Sequence, residues 1–353
     1  MAIAQSNEKQ TPAEETSFST RLLFVIFFIA VVCLTVIAGI FKPNVPPPAV
    51  VVQTAPEGIM GTECRLGVIL KTTASQAEQA DALKALQYTE NQLRRWETIT
   101  FSNWIENSEI SQLNLGKISN PSEELAFVLD AAQAAAKETH GAFDVCCRPI
   151  IELWKQADKL GKLPTDDLIL QAQNQRNQKD LGGIAKGRCI DLALAEITNR
   201  IHPEGAMVDI GGDVAAYGKS ESGDAWTFAI VNPFNTRQTW GRFRLKTVVD
   251  NQPVVKAVCT SGSYFRGFDI AGTHYSHIID PRTGRPVSKE TAPVSVTVIA
   301  DNCMTADIWA TALCVLGKEG VNYLPPSVDA YLIFGEPENP EIVSTKGFPE
   351  VKR

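Results

Sequence analysis

Met207-Val208-Asp209-Ile210-Gly211-Gly212-Asp213-Val214-Ala215-Ala216-Tyr217-Gly218 is an apolar run interrupted by two glycines. It reads as a β-strand entering a glycine turn, because paired glycines permit the positive φ that a tight reversal needs. The pattern is not Gly-x-Gly-x-x-Gly, so a Rossmann dinucleotide site is not supported. Just upstream, Cys189 to Arg200 reads as a helix, with Ile190, Ala193, Leu194 and Ile197 at helical spacing. Further out, Trp226 to Val231 and Val294 to Ile299 read as strands, the latter alternating. Gln76 to Glu97, with Leu83, Leu86 and Leu93 on one side, and the alanine-rich Glu123 to Glu138 read as helices. Helices and strands mix without a strict βαβ rhythm, which predicts an α+β fold rather than a doubly wound parallel sheet. No linker within 60–353 forces a second domain.

Residues 1–21 are polar and read as a tail. Leu22 to Phe41 is an uncharged, mostly apolar run bracketed by Arg21 and Lys42. A helix of about 20 such residues crosses a hydrocarbon core of about 30 Å. A signal peptide would have a shorter apolar core and a small-x-small cleavage site, neither of which is seen, so residues 22–41 are expected to be an uncleaved transmembrane anchor. A lipoprotein reading at Cys33 is disfavoured by Val31-Val32 before it. The basic bias is slight and points weakly to a cytoplasmic tail. Residues 42–56 begin with Pro43 and Pro46-Pro47-Pro48 and are expected to be a semi-rigid linker. The globular part is expected from residue 57 to 353.

Composition narrows the function classes. The chain of 353 residues is 44% hydrophobic and 21% charged, with a formal net charge of −7. An acidic balance without a long basic run argues against nucleic acid as a partner. Four histidines, none in a His-Glu-x-x-His pattern, argue against a histidine zinc site. Of eight cysteines no two have Cys-x-x-Cys spacing, and the seven outside the first apolar run fit a disulfide framework poorly.

Three further segments carry chemistry. Asp180-Leu181-Gly182-Gly183-Ile184-Ala185-Lys186-Gly187 joins a glycine pair to a helix start near Lys186. Free N–H groups and a lysine there suit an anion, although a tight turn with a solvated lysine is the plainer reading. Thr260-Ser261-Gly262 and the stretch His277-Ile278-Ile279-Asp280-Pro281-Arg282-Thr283-Gly284 put polar side chains on turns, where Asp280 could instead simply cap the turn. In Thr305-Ala306-Asp307-Ile308-Trp309-Ala310-Thr311, Thr305 is a plausible N-cap and Gly317 a plausible helix stop. Asp307 and Thr311 are four apart and share a helix face, offering hard oxygens to Mg²⁺; the alternative is that Asp307 only complements the helix dipole.

Taken in order, these segments resemble the ApbE family, together with Met60-Gly61-Thr62, Ser102-Asn103-Trp104, Asn107 to Ser111 and Gly141-Ala142-Phe143-Asp144. The resemblance spans roughly residues 57–335. It implies a T-fold-related α+β fold with mixed or antiparallel sheets flanked by helices. It implies Mg²⁺-dependent transfer of FMN from FAD to a Thr or Ser hydroxyl of a target protein, with release of AMP. By position, Met60, Trp104, Ala142, Phe143, Asp144, Asp180, Lys186 and Ile279 would contact FAD. Asp307, Thr311 and the Gly183 carbonyl would hold the metal. His277 is a candidate acid/base or phosphate-binding residue beside Asp307 and Thr311. Family targets are typically subunits of membrane redox complexes on the extracytoplasmic side, which implies a single-pass protein of the bacterial inner membrane with a periplasmic domain. The sequence departs from the commoner pattern at Trp104 (often Tyr), at Cys146-Cys147, at Arg188 and at Ala310, where some members carry a second carboxylate. Two alternatives stand beside this: an FAD pyrophosphatase using the same metal site and giving FMN and AMP, and a non-catalytic, membrane-tethered flavin-binding protein, against which Asp307 and Thr311 argue because holding flavin alone needs no magnesium site.

Overall fold

The computed structural model describes residues 49–262 and 267–353. Its frame is an eight-stranded sheet of β1 (Val50–Thr54), β2 (Cys64–Leu70), β3 (Gly205–Ile210), β4 (Asp213–Gly218), β9 (Val255–Gly262), β14 (Ser295–Ala300), β15 (Asp329–Glu336) and β16 (Asn339–Ser344), in that spatial order. Every neighbouring pair is antiparallel. Between β4 and β9 run the hairpin β5 (Ala225–Val231) and β6 (Thr239–Lys246) and the short pair β7 (Val248–Val249) and β8 (Gln252–Pro253). Between β9 and β14 run β10 (Gly267–Ile270), β11 (Thr273–Ser276), β12 (Ile279–Asp280) and β13 (Arg285–Pro286), paired as two small hairpins.

The helices are α1 (Gln76–Arg95), α2 (Glu109–Asn114), α3 (Glu123–Glu138), α4 (Arg148–Leu160), α5 (Asp166–Asn174), α6 (Ala185–Ile201) and α7 (Cys303–Leu316). Ser75 and Glu78 form a reciprocal capping box at the start of α1, which satisfies two otherwise orphan N–H groups. The main core lies between one face of the large sheet and the helices. It joins Leu66, Val68 and Val208 from strands to Leu86, Leu93, Ile190, Ile197 and Leu313 from helices. Complete burial of each such side chain stabilises by about 1.5–3 kcal/mol. On the other face the β5–β6 hairpin closes a second core with Phe228, Phe243, Ile299, Ile333 and Phe348. Strand period two sorts the residues: Ala330, Leu332 and Phe334 of β15 face the first core, Tyr331 and Ile333 the second. A third, smaller core packs α4 and α5 on the β10–β12 segment through Trp154, Ile169, Phe268 and Ile279.

The α+β expectation holds, and the sheet is antiparallel. Several local readings are corrected. Residues 50–54 pair with β2 as an edge strand, so the folded unit starts at Ala49 and the stretch expected to be linker up to 56 is partly sheet. The first long helix ends at Arg95 and passes into a π-helical turn, Trp96–Phe101. Leu83 is exposed while Leu86 and Leu93 are buried, because Ala82 and Ala85 occupy the inward stripe. β14 does not alternate between core and solvent: all six residues are buried, since both faces of this central strand are covered. The expected anchor, residues 22–41, and the tail before it lie outside the described residues; among the described residues no helix is long and apolar enough to cross a membrane.

Candidate active site

Two helix starts and two turns converge at one end of the sheet. α6 and α7 cross closely where Gly187 meets the first turn of α7. A Cβ on Gly187 would lie 2.5 Å from the Cys303 carbonyl oxygen and 2.7 Å from the Met304 Cα, so only glycine allows this approach. The contact is braced twice. Asp191 of α6 accepts the N–H groups of Cys303 (2.6 Å) and Met304 (2.9 Å), which are orphan donors at the start of α7. The Gly187 N–H donates to Asp307 Oδ2 at 3.0 Å. The N-cap of α7 is Asn302, whose side chain accepts the Thr305 N–H at 2.8 Å; Thr305 therefore sits inside the first turn instead of capping it.

Asp307 is 4% exposed. Burial pushes its carboxyl above the usual carboxylate range, opposed by the Lys186 charge and the Gly187 N–H. This is not the environment of a residue that merely complements a helix dipole on the surface. One turn on, Thr311 lies against the glycine pair: a Cβ on Gly183 would fall 2.9 Å from Thr311 Oγ1 and 3.1 Å from Phe143 Cε2. The structure thus joins Gly183, Thr311 and Phe143, which stand far apart in sequence. The Asp307 carboxylate and the Thr311 hydroxyl, one turn apart on α7, are hard oxygen donors of the kind that suits Mg²⁺. Among the described residues no three His, Cys, Asp or Glu side chains gather as a metal cluster, so backbone and water oxygens would have to complete the shell.

Lys186, in the first turn of α6, is half-buried and ion-paired with Asp213, which is 3% exposed. Asp213 opens β4 directly after Gly211 and Gly212, both at positive φ (65° and 88°). Gly211 abuts Thr62, so this turn brings the Met60-Gly61-Thr62 loop alongside the lysine turn. Met60 itself is half-buried at φ 51°, and an open cleft of about 650 Å³ runs along the loop past Gly61 and Thr62. In the sequence Asp213 stands out only as part of a glycine turn. Its signal was an acidic residue entering a central strand, where a carboxylate is tolerated only when paired.

Asp180 and residues 142–144 form the rim. Asp180 folds back on the Gly182 N–H at 2.8 Å, and its own N–H donates to the Val145 carbonyl, linking it to the 142–147 segment. Thr139 Oγ1 accepts the Phe143 N–H at 3.0 Å, while Ala142 and Phe143 are buried. Asp144 accepts the Cys146 N–H and is ion-paired with Arg176, a partner the sequence did not suggest. The His277 segment reaches this rim through Arg282, whose Cγ would lie 3.5 Å from a Cβ on Gly141. His277 is exposed. Asp280 caps its own turn, accepting the N–H of Arg282 at 2.9 Å and its guanidinium. The Ile279 side chain is not brought to the metal-type donors; it packs in the third core. Trp104 is 78% exposed, with the Lys155 ammonium 4.2 Å from its ring centroid. The ammonium lies over one face, and the largely exposed indole leaves the other as a stacking surface for a flat ring system.

A sequence profile described as the ApbE family matches residues 60–332. The chain is 32% identical over 241 residues to the FAD:protein FMN transferase of Vibrio cholerae, covering 62% of this chain and 69% of that one. It is 33% identical over 264 residues to the FAD:protein FMN transferase of Rhodobacter capsulatus, covering 65% of this chain and 48% of that one, about half its length. The solved flavin transferase ApbE from Vibrio cholerae superimposes with a TM-score of 0.65 at 26% identity, over 85% of this chain and 99% of that one. With a profile match across nearly the whole folded unit and the same fold in a solved relative, the chain belongs to the ApbE family.

Proposed function

We propose that this protein is an FAD:protein FMN transferase, moving FMN from FAD to a Thr or Ser hydroxyl of an acceptor protein. The observation that carries this reading is the meeting of Gly183 with Thr311, one turn from the buried Asp307 and beside Lys186. In the reaction a bond forms between the acceptor oxygen and the FMN phosphorus. The pyrophosphate P–O bond breaks, and AMP leaves with the electron pair. Asp307, Thr311 and the Gly183 carbonyl would hold Mg²⁺, which supplies charge neutralisation and polarisation of the phosphate when bound. Lys186, in the first turn of α6, is suited to the pyrophosphate. Trp104 offers its face to the isoalloxazine. We assign His277, exposed on its turn, the role of base toward the acceptor hydroxyl proton.

The test uses the chain from Ala49 onward, FAD, Mg²⁺ and a domain carrying an acceptor threonine. Covalent flavin on the acceptor, measured by mass, and free AMP are expected, both dependent on Mg²⁺ and lost in Asp307→Ala. AMP with free FMN and an unlabelled acceptor would replace the transferase with an FAD pyrophosphatase. FAD binding with neither product would leave a flavin carrier. We also infer that residues 22–41 anchor the protein in the inner membrane with residues 49–353 as one periplasmic catalytic domain. Protease accessibility in spheroplasts tests this, and protection of the domain in intact spheroplasts would refute it.

A further inference from the structure

Lys186 has a long flexible stem, and a cation of that kind contributes to a site only where something fixes its direction. Asp213 has the geometry to do so. It is almost fully buried, and both of its oxygens are engaged: Oδ2 by the Lys186 ammonium, Oδ1 by the Thr260 N–H at 3.0 Å. Thr260 is itself set in the centre of the sheet, in register with Thr297 and joined to it by a 3.0 Å hydroxyl contact. The carboxylate therefore stands on two central strands and cannot follow the lysine if the lysine moves. On the other side Asp307 is equally buried, its carboxylate held by the Gly187 N–H next to Lys186 in the chain. One half-buried cation thus serves two buried carboxylates, and the direct ion pair with Asp213 decides on which side it rests.

We propose that Asp213 is a positioning residue of this site, holding the Lys186 ammonium oriented for the polyanionic pyrophosphate of the substrate without touching the substrate itself. This rests on the transferase reading for the identity of the substrate. If the orientation is inherited from Asp213, removing the carboxylate charge damages turnover only while Lys186 is present. A role confined to packing would instead cost the same with or without the lysine.

The experiment is a double-mutant cycle of Asp213→Asn and Lys186→Ala, each protein assayed for kcat and KM in acceptor flavinylation and for FAD affinity by flavin fluorescence. Asparagine keeps the shape and an acceptor for Thr260. D213N is expected to lower kcat by at least about tenfold, as a misplaced catalytic group does, and to loosen FAD binding by at least about threefold. In the K186A background the same change is expected to alter either quantity by less than about twofold. Equal losses in both backgrounds, unchanged turnover in D213N, or tighter FAD binding in D213N would overturn the proposal; the last would make Asp213 a competing counter-ion. A parent protein that labels no acceptor would remove the transferase reading alone, and the FAD-affinity cycle would then decide on Asp213. Melting midpoints confirm that folded molecules are compared. Should D213N fail to fold, Asp213→Glu, whose longer arm displaces the carboxylate, takes its place in the same cycle.

Discussion

Replacing Gly187 by alanine tests the helix crossing on which the site is built. The added methyl would sit 2.5 Å from the Cys303 carbonyl oxygen and 2.7 Å from the Met304 Cα, both backbone atoms that cannot rotate away. Restoring ordinary contact requires α6 and α7 to separate by roughly 1 Å, given optimal heavy-atom separations near 3.5 Å. Overpacking of this kind costs about 1–3 kcal/mol. The separation also stretches the 3.0 Å bond from the Gly187 N–H to the Asp307 carboxylate, and bonds to charged groups contribute about 1.5–3 kcal/mol. A total loss of about 2.5–6 kcal/mol follows, a large share of the stability of an ordinary domain. Urea denaturation of the soluble chain, followed by tryptophan fluorescence, measures it. Asn199→Ala, exposed on the same α6, serves as control and should stay within about 0.5 kcal/mol of the parent. A Gly187→Ala protein as stable as that control would refute the close crossing, and with it the account of how Asp307 is placed.

Other outcomes follow from the same geometry. Thr311→Val keeps the volume but removes a metal-type oxygen; magnesium activation should weaken by about 10–100-fold while the melting midpoint changes little. Trp104→Ala should leave stability within about 0.5 kcal/mol, since the ring is 78% exposed, yet reduce FAD affinity by the roughly 1–3 kcal/mol of a lost stacking partner, read by flavin fluorescence. Asp191 is raised from 3.8 to about 6, chiefly because burial strips water from its carboxylate, against the Cys303 and Met304 N–H bonds. The folded state then holds this proton more tightly than the unfolded one, so its contribution to stability falls as pH rises from about 4 to 6 and is level above that. Asp191→Asn should flatten the stability–pH curve in that window by about 3 kcal/mol, measured by denaturation at each pH; an unchanged slope would exclude Asp191 as its source.

What the sequence determined by itself was local. Alanine content marked Glu123–Glu138 to the residue, helical spacing marked the body of α6, and strand-like runs rich in apolar residues marked β3, β5 and β14 to within one or two positions. These signals survive because a helix or strand repeats over neighbouring residues. The ordered motifs also carried the family resemblance, and Asp307, Thr311, Gly183 and Lys186 were named from them. Tertiary structure decided the rest. The order of the sheet, with β4 beside β9 and β9 beside β14, depends on strands brought together across tens of residues. Burial of β14 on both faces, and hence its lack of a solvent side, depends on the β5–β6 hairpin folding over it. The pairing of Lys186 with Asp213 and of Asp144 with Arg176, and the clearance that demands glycine at 187, are relations between atoms distant along the chain. A sequence lists which donors and acceptors exist; their partners are set only when packing brings them within a few ångströms, where buried charges must find one another.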